Sequence, residues 1–347
     1  MHRGMRGVVL VAAAIAATAR AAEGTAAPAS ADPAAAATTA TPAKKASTAY
    51  GEYPDRFALP GNVHRTMNGH VFTPSLLIRS PFAVTQVGAD LLYGAGTADG
   101  NKPAIIDGRR GATTYDFAAM GQNFYYDQRV ADGVSVGGGL TVLFYSGISG
   151  PSAVVLGLEV GYGLFGRVTA GRQWGPVRAS FTFDTSYAPQ YAIHILEAIQ
   201  ASRDPNGDIT ASALTSSNGL TVKPGFALAY AVSPAVGLTL SADYQGVWTR
   251  PNPGGAWNYS SGVDAGAALD LDFGTFTTVP VAAVAAFRIT APIGSSGLTT
   301  VYDYTVGAFY TGRPPLVLGV ELGQRRFKFR DLDAVANLIQ FRVQYLW

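Results

Sequence analysis

The side chains best suited to general-base catalysis or metal binding near neutral pH are histidines. This chain has four of them, His2, His64, His70 and His194. None falls in a segment with strand periodicity, and no ligand cluster with a known metal-binding spacing surrounds His64 and His70. The chain has no Cys, which excludes a thiol nucleophile and a Cys-ligated metal. The sequence therefore predicts no enzyme activity, no metal and no other cofactor.

Three carboxylates have a spacing that could bind a cation. Asp264, Asp270 and Asp272 have numbers of one parity, so a strand would place them on one face. Calcium prefers oxygen ligands of this kind. We favour instead a solvated wall neutralised by Arg288 on the adjacent strand. The glycines 137–139 lie within a strand pattern rather than before a helix, so they do not predict a phosphate-binding loop.

Strands of alternating polarity must position these acids. In segment 261–273, Val263 and Leu269 share one parity while Asp264 and Asp270 share the other. Period-2 alternation predicts strands with one apolar and one wet face. The pattern is clear in 134–145, 177–184, 219–231, 236–248, 279–289 and 300–311, and weaker in 81–94, 114–127, 153–174 and 315–329.

Two places depart from the alternation. Parity changes near Gln324 and Arg325, where a β-bulge would return Phe327 and Phe329 to the apolar face. Pro224 lies at an apolar-parity position, where it would remove one hydrogen bond from the sheet. A further bulge or helical insertion would fit 163–166.

The end of the chain carries the most specific pattern. Phe341, Val343 and Tyr345 alternate with polar residues and lead to Trp347. This ending resembles the last strand of bacterial outer-membrane β-barrels, whose assembly machinery recognises a terminal aromatic residue. The resemblance implies an outer-membrane location and contact with outer-membrane lipids and with that machinery, but it names no solute.

The composition agrees with a barrel. Hydrophobic residues make up 48% of the chain and mean hydropathy is +0.16, yet no run after residue 22 is long enough for a spanning helix. A barrel spreads its lipid-facing residues over alternate positions. We predict an all-β fold, a transmembrane antiparallel up-and-down β-barrel of about 12 strands, in the range of roughly 10–14.

Connection lengths support this prediction, because outer-membrane barrels have short periplasmic turns and longer outer loops. Counted from the first strand, the predicted connections alternate between long and short until a brief last outer one. The long ones are 96–113, 146–152, 187–218, 251–260 and 291–297, and the short ones are 129–133, 174–176, 232–235, 274–278 and 311–314.

The N-terminal regions differ in composition. Residues 1–22 have basic residues, an apolar run and an A-x-A site, which predicts a cleaved signal peptide and export. Removing Arg3, Arg6 and Arg20 leaves 22 basic residues of 25 against 23 acidic ones, so nucleic acid is not an expected partner. Residues 23–49 are rich in Ala, Pro and Thr and predict a disordered periplasmic tether. Residues 50–79 are a candidate plug, and 80–347 form the barrel.

Charged residues cannot face lipid cheaply, so their parity defines the lumen. The predicted lumen-lining residues are Arg178, Asp184, Lys223, Asp243, Asp264, Asp270, Asp272, Arg288, Asp303, Glu321 and Arg342. The opposite parity supplies aromatic residues for the lipid interface, namely Tyr244, Trp248, Tyr302, Tyr304, Tyr310, Tyr345 and Trp347. A short amphipathic helix beginning at Ala192 in the loop 187–218 would place Ile195, Leu196 and Ile199 on one face as a lid.

These features leave several functions open. Small inward residues predict a lumen, either water-filled or occupied by residues 50–79. The leading hypothesis is a channel or transporter for passive passage of small solutes, hydrophobic ones included. The alternatives are a non-conducting structural or surface-interaction barrel and, less favoured, a lipid-modifying enzyme using His194. Inward charges of both signs argue against strong ion selectivity. The oligomeric state stays open.

Overall fold

The structure, a computed structural model, describes residues 64–100, 113–149, 154–193, 214–250, 255–294, 300–312, 315–329 and 332–347. Within them the chain forms a closed barrel of twelve antiparallel strands, preceded by a two-stranded hairpin. The predicted fold class and strand number are confirmed. In the described residues no helix is long and apolar enough to cross a bilayer.

The strands follow one another around the wall in chain order. The hairpin is β1 (Thr66–Met67) and β2 (His70–Val71). The wall consists of β3 (Gln86–Gly100), β4 (Thr113–Ala131), β5 (Val134–Ser149), β6 (Val154–Trp174), β7 (Val177–Ile193), β8 (Leu214–Ala231), β9 (Val236–Arg250), β10 (Asn258–Asp272), β11 (Val281–Ile293), β12 (Val301–Tyr310), β13 (Leu316–Phe329) and β14 (Leu332–Leu346).

Pairing of β14 with β3 closes the wall. Leu346 lies opposite Gln86, and Leu332 lies opposite Gly100, with every intermediate pair in register. Closure leaves no sheet edge with unpaired backbone groups, which a membrane-spanning sheet requires. The rim that contains Gln86 and Leu346 is called the terminal rim below, and the opposite one the far rim.

The two faces of the wall meet different surroundings. Val263 and Leu269 point outward and are 39% and 49% exposed, whereas Asp264 and Asp270 between them are 4% and 3% exposed. The same division recurs around the barrel, so large apolar side chains cover the outside. An apolar band of this extent is stable only against an apolar medium.

The connections agree with the predicted alternation only in part. Those at the terminal rim span 132–133, 175–176, 232–235, 273–280 and 311–315, and those at the far rim span 101–112, 150–153, 194–213, 251–257, 294–300 and 330–331. The terminal-rim connection 273–280 is longer by one residue than the far-rim connection 294–300, because it contains a 3-10 helix, Phe273–Thr275, capped by Asp272. Strict alternation is therefore wrong there.

The predicted loop helix also needs correction. β7 continues to Ile193, so Ala192 and Ile193, the first two residues of the predicted helix, are strand residues. The segment 187–218 consists partly of the long far ends of β7 and β8. The rest of the predicted helix, including Ile195, Leu196 and Ile199, lies outside the described residues.

The bulge predicted near Gln324 and Arg325 is wrong. The β13–β14 register runs without a shift from Leu316 to Phe329. Consequently Gln324 and Arg326 face outward and Arg325 faces the lumen. Outward polar residues near the far rim do not require a bulge, because the cost of an outward charge falls to about 0–1 kcal/mol at the membrane interface.

Two other irregularities were predicted in the strands, one at 163–166 and one at Pro224. Residues 163–166 form neither a bulge nor a helix, since β6 pairs with β5 in register through them; the shift lies instead between Gly147 and Ile148. Beside Pro224 the β8–β9 pairing skips from Val222 to Gly225. The missing N–H of Pro224 explains this gap, as predicted.

The depth of the apolar band can be tested with one strand. Ala265 lies on the outward face of β10, between Ala242 and Ile289 of its neighbours. Ser261 has the same orientation nearer the far rim. We expect Ala265→Arg to lower the free energy of unfolding by about 2–4 kcal/mol and Ser261→Arg by about 0–1 kcal/mol. Denaturant unfolding in lipid vesicles measures both, and equal losses would contradict a bilayer around this face.

Candidate functional site

Residues 64–85 lie inside the barrel at the terminal rim and are called the plug below. The β1–β2 hairpin turns at Asn68 and Gly69, both with positive φ of 47° and 78°, as a two-residue Asn-Gly turn favours. A Cβ on Gly69 would lie 3.5 Å from Cβ of Pro234, so the hairpin tip reaches the 232–235 turn. The plug extends to residue 85 because β3 begins at Gln86, whereas we expected the barrel to begin at residue 80. Residues 50–63 lie outside the described residues.

An apolar layer joins the plug to the wall. Six buried plug side chains, Met67, Phe72, Leu77, Ile78, Phe82 and Val84, form one cluster with Ala229, Ala231, Ala268, Val284, Ala286, Phe309, Val317 and Leu346 of the wall. Most of these wall residues are small or medium-sized, so the plug supplies the volume that they leave. Burial of apolar side chains stabilises this arrangement by roughly 25 cal/mol per Å² removed from water.

Polar contacts fix the hairpin on β10. His70 is fully buried, with Nδ1 3.2 Å from the carbonyl oxygen of Pro234 and Nε2 3.3 Å from Oδ2 of Asp270. The backbone N–H of Thr73 donates to the same carboxylate oxygen. Asp270 thus accepts hydrogen bonds from a plug side chain and from the plug backbone.

Three more wall residues satisfy the irregular backbone of the plug. Oε1 of Glu321 accepts from the N–H of Leu76 at 2.6 Å. Arg342 donates to the carbonyl of Pro74 at 3.2 Å, and Nε of Arg178 donates to the carbonyl of Pro81 at 2.8 Å. Buried backbone groups outside a helix or sheet need such partners. The plug is therefore held by inward charges of the wall as well as by apolar packing.

Beyond the plug the wall carries a ring of charges, most of them in ion pairs, called the charge belt below. Register places its residues on neighbouring strands, and Asp303, with Oδ2 2.7 Å from Nη2 of Arg288 and Oδ1 2.6 Å from Nε of Arg325, is 1% exposed. Lys223 Nζ lies 2.5 Å from Oδ2 of Asp264. The belt comprises Arg167, Asp184, Lys223, Asp243, Asp264, Arg288, Asp303 and Arg325. Two further ion pairs, Arg342–Asp90 and Arg167–Asp127, extend it around the wall. Charges buried in pairs avoid most of the desolvation penalty of a lone charge.

Arg79 links the plug to this belt. Its guanidinium forms an ion pair with Asp184 of β7. Burial, and then the nearby charge of Arg167, lower the pKa of Arg79 to about 10, while Asp243 and Asp127 act in the opposite direction. Arg79 is therefore still charged at pH 7, and moving the plug would separate this ion pair.

Two cavities adjoin the belt. One of about 300 Å³ lies between the plug and the wall and is lined by Arg79, Asp184, Asp264 and other polar residues. A second of about 210 Å³ lies over Tyr125, Phe165 and Arg167. Oδ1 of Asp264, which borders the first, and Oγ of Ser186, which borders the second, are buried without a hydrogen-bond partner in the described structure. Cavities with unsatisfied polar atoms are suited to hold water.

The structure divides the predicted lumen residues into two groups and leaves Asp272 outside both. Asp270, Glu321, Arg342 and Arg178 hold the plug. Asp272 instead caps the 3-10 helix by accepting from the N–H of Gly274 at 3.0 Å. The others belong to the charge belt, namely Asp184, Lys223, Asp243, Asp264, Arg288 and Asp303.

Several inward charges were not predicted from the sequence. Arg325 was hidden by the wrong bulge. Asp90, Asp127 and Arg167 lie on strands with weak alternation, where glycine and small residues occupy both faces. Asp127 and Arg167 could have been found by counting alternate positions, from Tyr125 along β4 and from Phe165 along β6.

The predicted interface aromatics all lie on the outward face, in two groups. Tyr310, Tyr345 and Trp347 are near the terminal rim, where the rings of Tyr345 and Trp347 are 5.7 Å apart. The others, Tyr244, Trp248, Tyr302 and Tyr304, are nearer the far rim. Two aromatic girdles are typical of barrels that cross a bilayer.

The histidines have ordinary structural contacts. His64 lies 3.2 Å from Nη1 of Arg129, and burial together with that charge lowers the pKa of His64. His70 holds the plug, and His194 lies outside the described residues. The described part of the chain contains no group of three or more side chains arranged to bind a metal ion.

Comparison with known proteins identifies the fold. No family model matches the sequence, and no curated protein matches it. Among solved structures, the β domain of the autotransporter BrkA from Bordetella is 12% identical, with a TM-score of 0.53 over 76% of this chain and 100% of that one. The transport unit of the autotransporter AIDA-I from Escherichia coli is 13% identical, with a TM-score of 0.49 over 83% and 99%. A FadL homologue from Pseudomonas aeruginosa is 10% identical, with a TM-score of 0.43 over 82% and 95%.

Identities this low show the fold alone. The chain has the fold of bacterial outer-membrane β-barrels, without an identified family among them, which confirms the resemblance inferred from its last strand.

The seating of the plug can be tested at Gly237. A Cβ there would lie 2.5 Å from Nε2 of His70 and 2.7 Å from Cε1 of Phe72, so Gly237→Val must displace plug rings. Overpacking costs about 1–3 kcal/mol, equivalent to roughly 5–150-fold in the population of the displaced state. Ser75→Cys, at a buried plug position in a chain without other cysteines, reports this displacement through its rate of maleimide labelling.

The matched control is Gly121→Val, which adds the same side chain to the inner wall. Its Cβ would meet Leu143 at 3.6 Å and Leu92 at 3.8 Å, both in ordinary contact. We expect Gly237→Val to accelerate labelling of Ser75→Cys and Gly121→Val to leave it slow. Rapid labelling without either substitution would contradict a seated plug.

Proposed function

We propose that this chain is a gated outer-membrane channel for the passive passage of small polar solutes, with the plug as its gate. In this proposal the protein is exported after cleavage within residues 1–22, the terminal rim faces the periplasm, and residues 23–49 tether the plug on that side. The observation that carries the proposal is the charge belt with its adjoining cavities, which form a polar interior above a separate segment of chain.

The polarity of the interior supports polar rather than hydrophobic solutes. Arg167, Lys223 and Asp184 line the first cavity together with Ser241 and Asp243. A hydrophobic solute would have to displace water from these groups without replacing its hydrogen bonds, which costs free energy. We therefore propose polar solutes, and not the hydrophobic ones that the sequence also allowed.

The way the plug is held supports a gate. Its contacts with the wall combine apolar packing with hydrogen bonds that involve the side chains of Asp270, Glu321, Arg342 and Arg178, and it has no strand in the sheet of the wall. A segment outside the sheet can move without breaking the hydrogen bonds that close the barrel. Local openings of this kind require less free energy than global unfolding.

One observation favours a second candidate, a non-conducting structural barrel. The apolar layer around Phe72, Phe82 and Phe309 fills the terminal end of the lumen. Water and ions cross such a layer poorly, so a plug that never moves would close the barrel permanently.

Planar-bilayer recording separates the two candidates. We expect the unchanged chain to open rarely and Gly237→Val to conduct more often, by the same factor that increases labelling of Ser75→Cys. Gly121→Val should behave as the unchanged chain. If Gly237→Val exposes Ser75→Cys but remains silent in bilayers, the channel proposal is wrong and the structural barrel is favoured. Liposome swelling with sugars of increasing size then gives the size limit.

Ion selectivity tests the charge belt. Asp303 is neutralised by Arg288 and Arg325, so Arg325→Gln leaves this carboxylate with one cation. In the Gly237→Val background we expect the reversal potential in a salt gradient to shift towards cation preference. Arg172→Gln, at an outward arginine near the terminal rim, is the control and should cause no shift. Unchanged selectivity in Arg325→Gln would place the conducting path elsewhere.

A further inference from the structure

The outward face of β12–β14 carries a polar row that interrupts the apolar band. Register aligns Tyr304, Gln324 and Asn337 across the three strands. The Tyr304 hydroxyl donates to Oε1 of Gln324, and Nε2 of Gln324 donates to Oδ1 of Asn337 at 3.1 Å. These groups satisfy one another along the row.

Arg326 lies one outward position nearer the far rim. Its Nε donates to Oε1 of Gln324 at 2.7 Å, and it is exposed. This bond uses one of the five N–H donors of the guanidinium, which is planar and suited to bidentate recognition of a phosphate. The neighbouring Gln324 thus orients the guanidinium of this exposed residue.

The height of Arg326 fits the outer membrane boundary. A tilted strand crosses the hydrocarbon in roughly 9–11 residues. Leu316 begins the apolar face of β13 at the terminal rim. Arg326, on the same face, is the eleventh residue counted from Leu316 and so lies at the end of that span. Below it, Val306, Leu322 and Ile339 are exposed and form an apolar surface of adjacent side chains.

The two other outward arginines of the described strands have different positions. Arg172 lies near the terminal rim, on β6. Arg250 donates its Nε to the carbonyl of Gly255 in the next connection, at 2.9 Å. Arg326, in contrast, is a cation at the far boundary that adjoins the polar row and has an apolar surface beneath it.

We infer that this patch binds a phosphorylated glycolipid of the outer leaflet, with Arg326 contacting a phosphate and the surface of Val306, Leu322 and Ile339 contacting acyl chains. The cation lies at the level of the lipid phosphate, and the apolar surface lies below it at the level of the acyl chains. The inference rests on the far rim facing outward and does not depend on conduction, so either proposal can fail without the other.

The test measures lipid retained by the purified full-length protein in detergent, by native mass spectrometry. The probes are bisphosphorylated lipid A, the same lipid without phosphates, and phosphatidylglycerol. We expect bisphosphorylated lipid A to be retained best and Arg326→Gln to weaken its retention by about tenfold, the usual effect of losing a charged hydrogen bond. Arg326→Lys, which keeps the charge, should lose less.

Arg172→Gln is the matched control, because it removes an outward arginine at the opposite boundary, and it should retain lipid A as the unchanged chain does. Undiminished retention in Arg326→Gln, or an equal loss in Arg172→Gln, would overturn the inference. Equal retention of phosphatidylglycerol would also overturn it, since any phosphate lipid would then suffice. A difference in gel mobility between the unheated and the heated protein confirms that each variant is folded.

Discussion

A wall one residue thick separates two incompatible surroundings, and the other features of this protein depend on that constraint. Within the depth of the hydrocarbon, each strand must present apolar side chains to one side and can present charges only to the other. Val263 and Asp264, adjacent in sequence, differ almost tenfold in exposure for this reason. Because the inner charges cannot face lipid, they meet each other across neighbouring strands, and the paired belt follows from the geometry of closure.

The same inner charges also make a filled lumen stable. The plug is irregular, so its backbone cannot satisfy itself as a helix or sheet would. Glu321, Asp270 and Arg342 provide the missing partners at the points where the chain turns. Apolar packing around Phe72 and Phe82 supplies the non-directional part of the attraction, while the hydrogen bonds determine where the plug is seated.

Parity was enough to predict the fold and most of the lumen charges from the sequence. Where the outward residues are large, as on β10 and β11, odd and even positions could be assigned without ambiguity. Prediction failed where a polar side chain does not face the lumen. Gln324 and Arg326 are polar yet face outward, because β13 rises to the membrane boundary, and this suggested a bulge that does not exist. The contacts of the plug could not be predicted, since His70 meets a carboxylate 200 residues away.

The position of the plug along the chain has a consequence for biogenesis. Residues 64–85 precede the first wall strand, and the ring is completed only when β14 joins β3 beside them, where the N–H of Trp347 donates to the carbonyl of Thr85. If the plug is enclosed while this seam is still open, no loop has to thread through a finished ring. Because Thr85 lies beside the β14–β3 junction, closure of the barrel also encloses the plug, so that membrane insertion and enclosure of the plug become parts of a single maturation step.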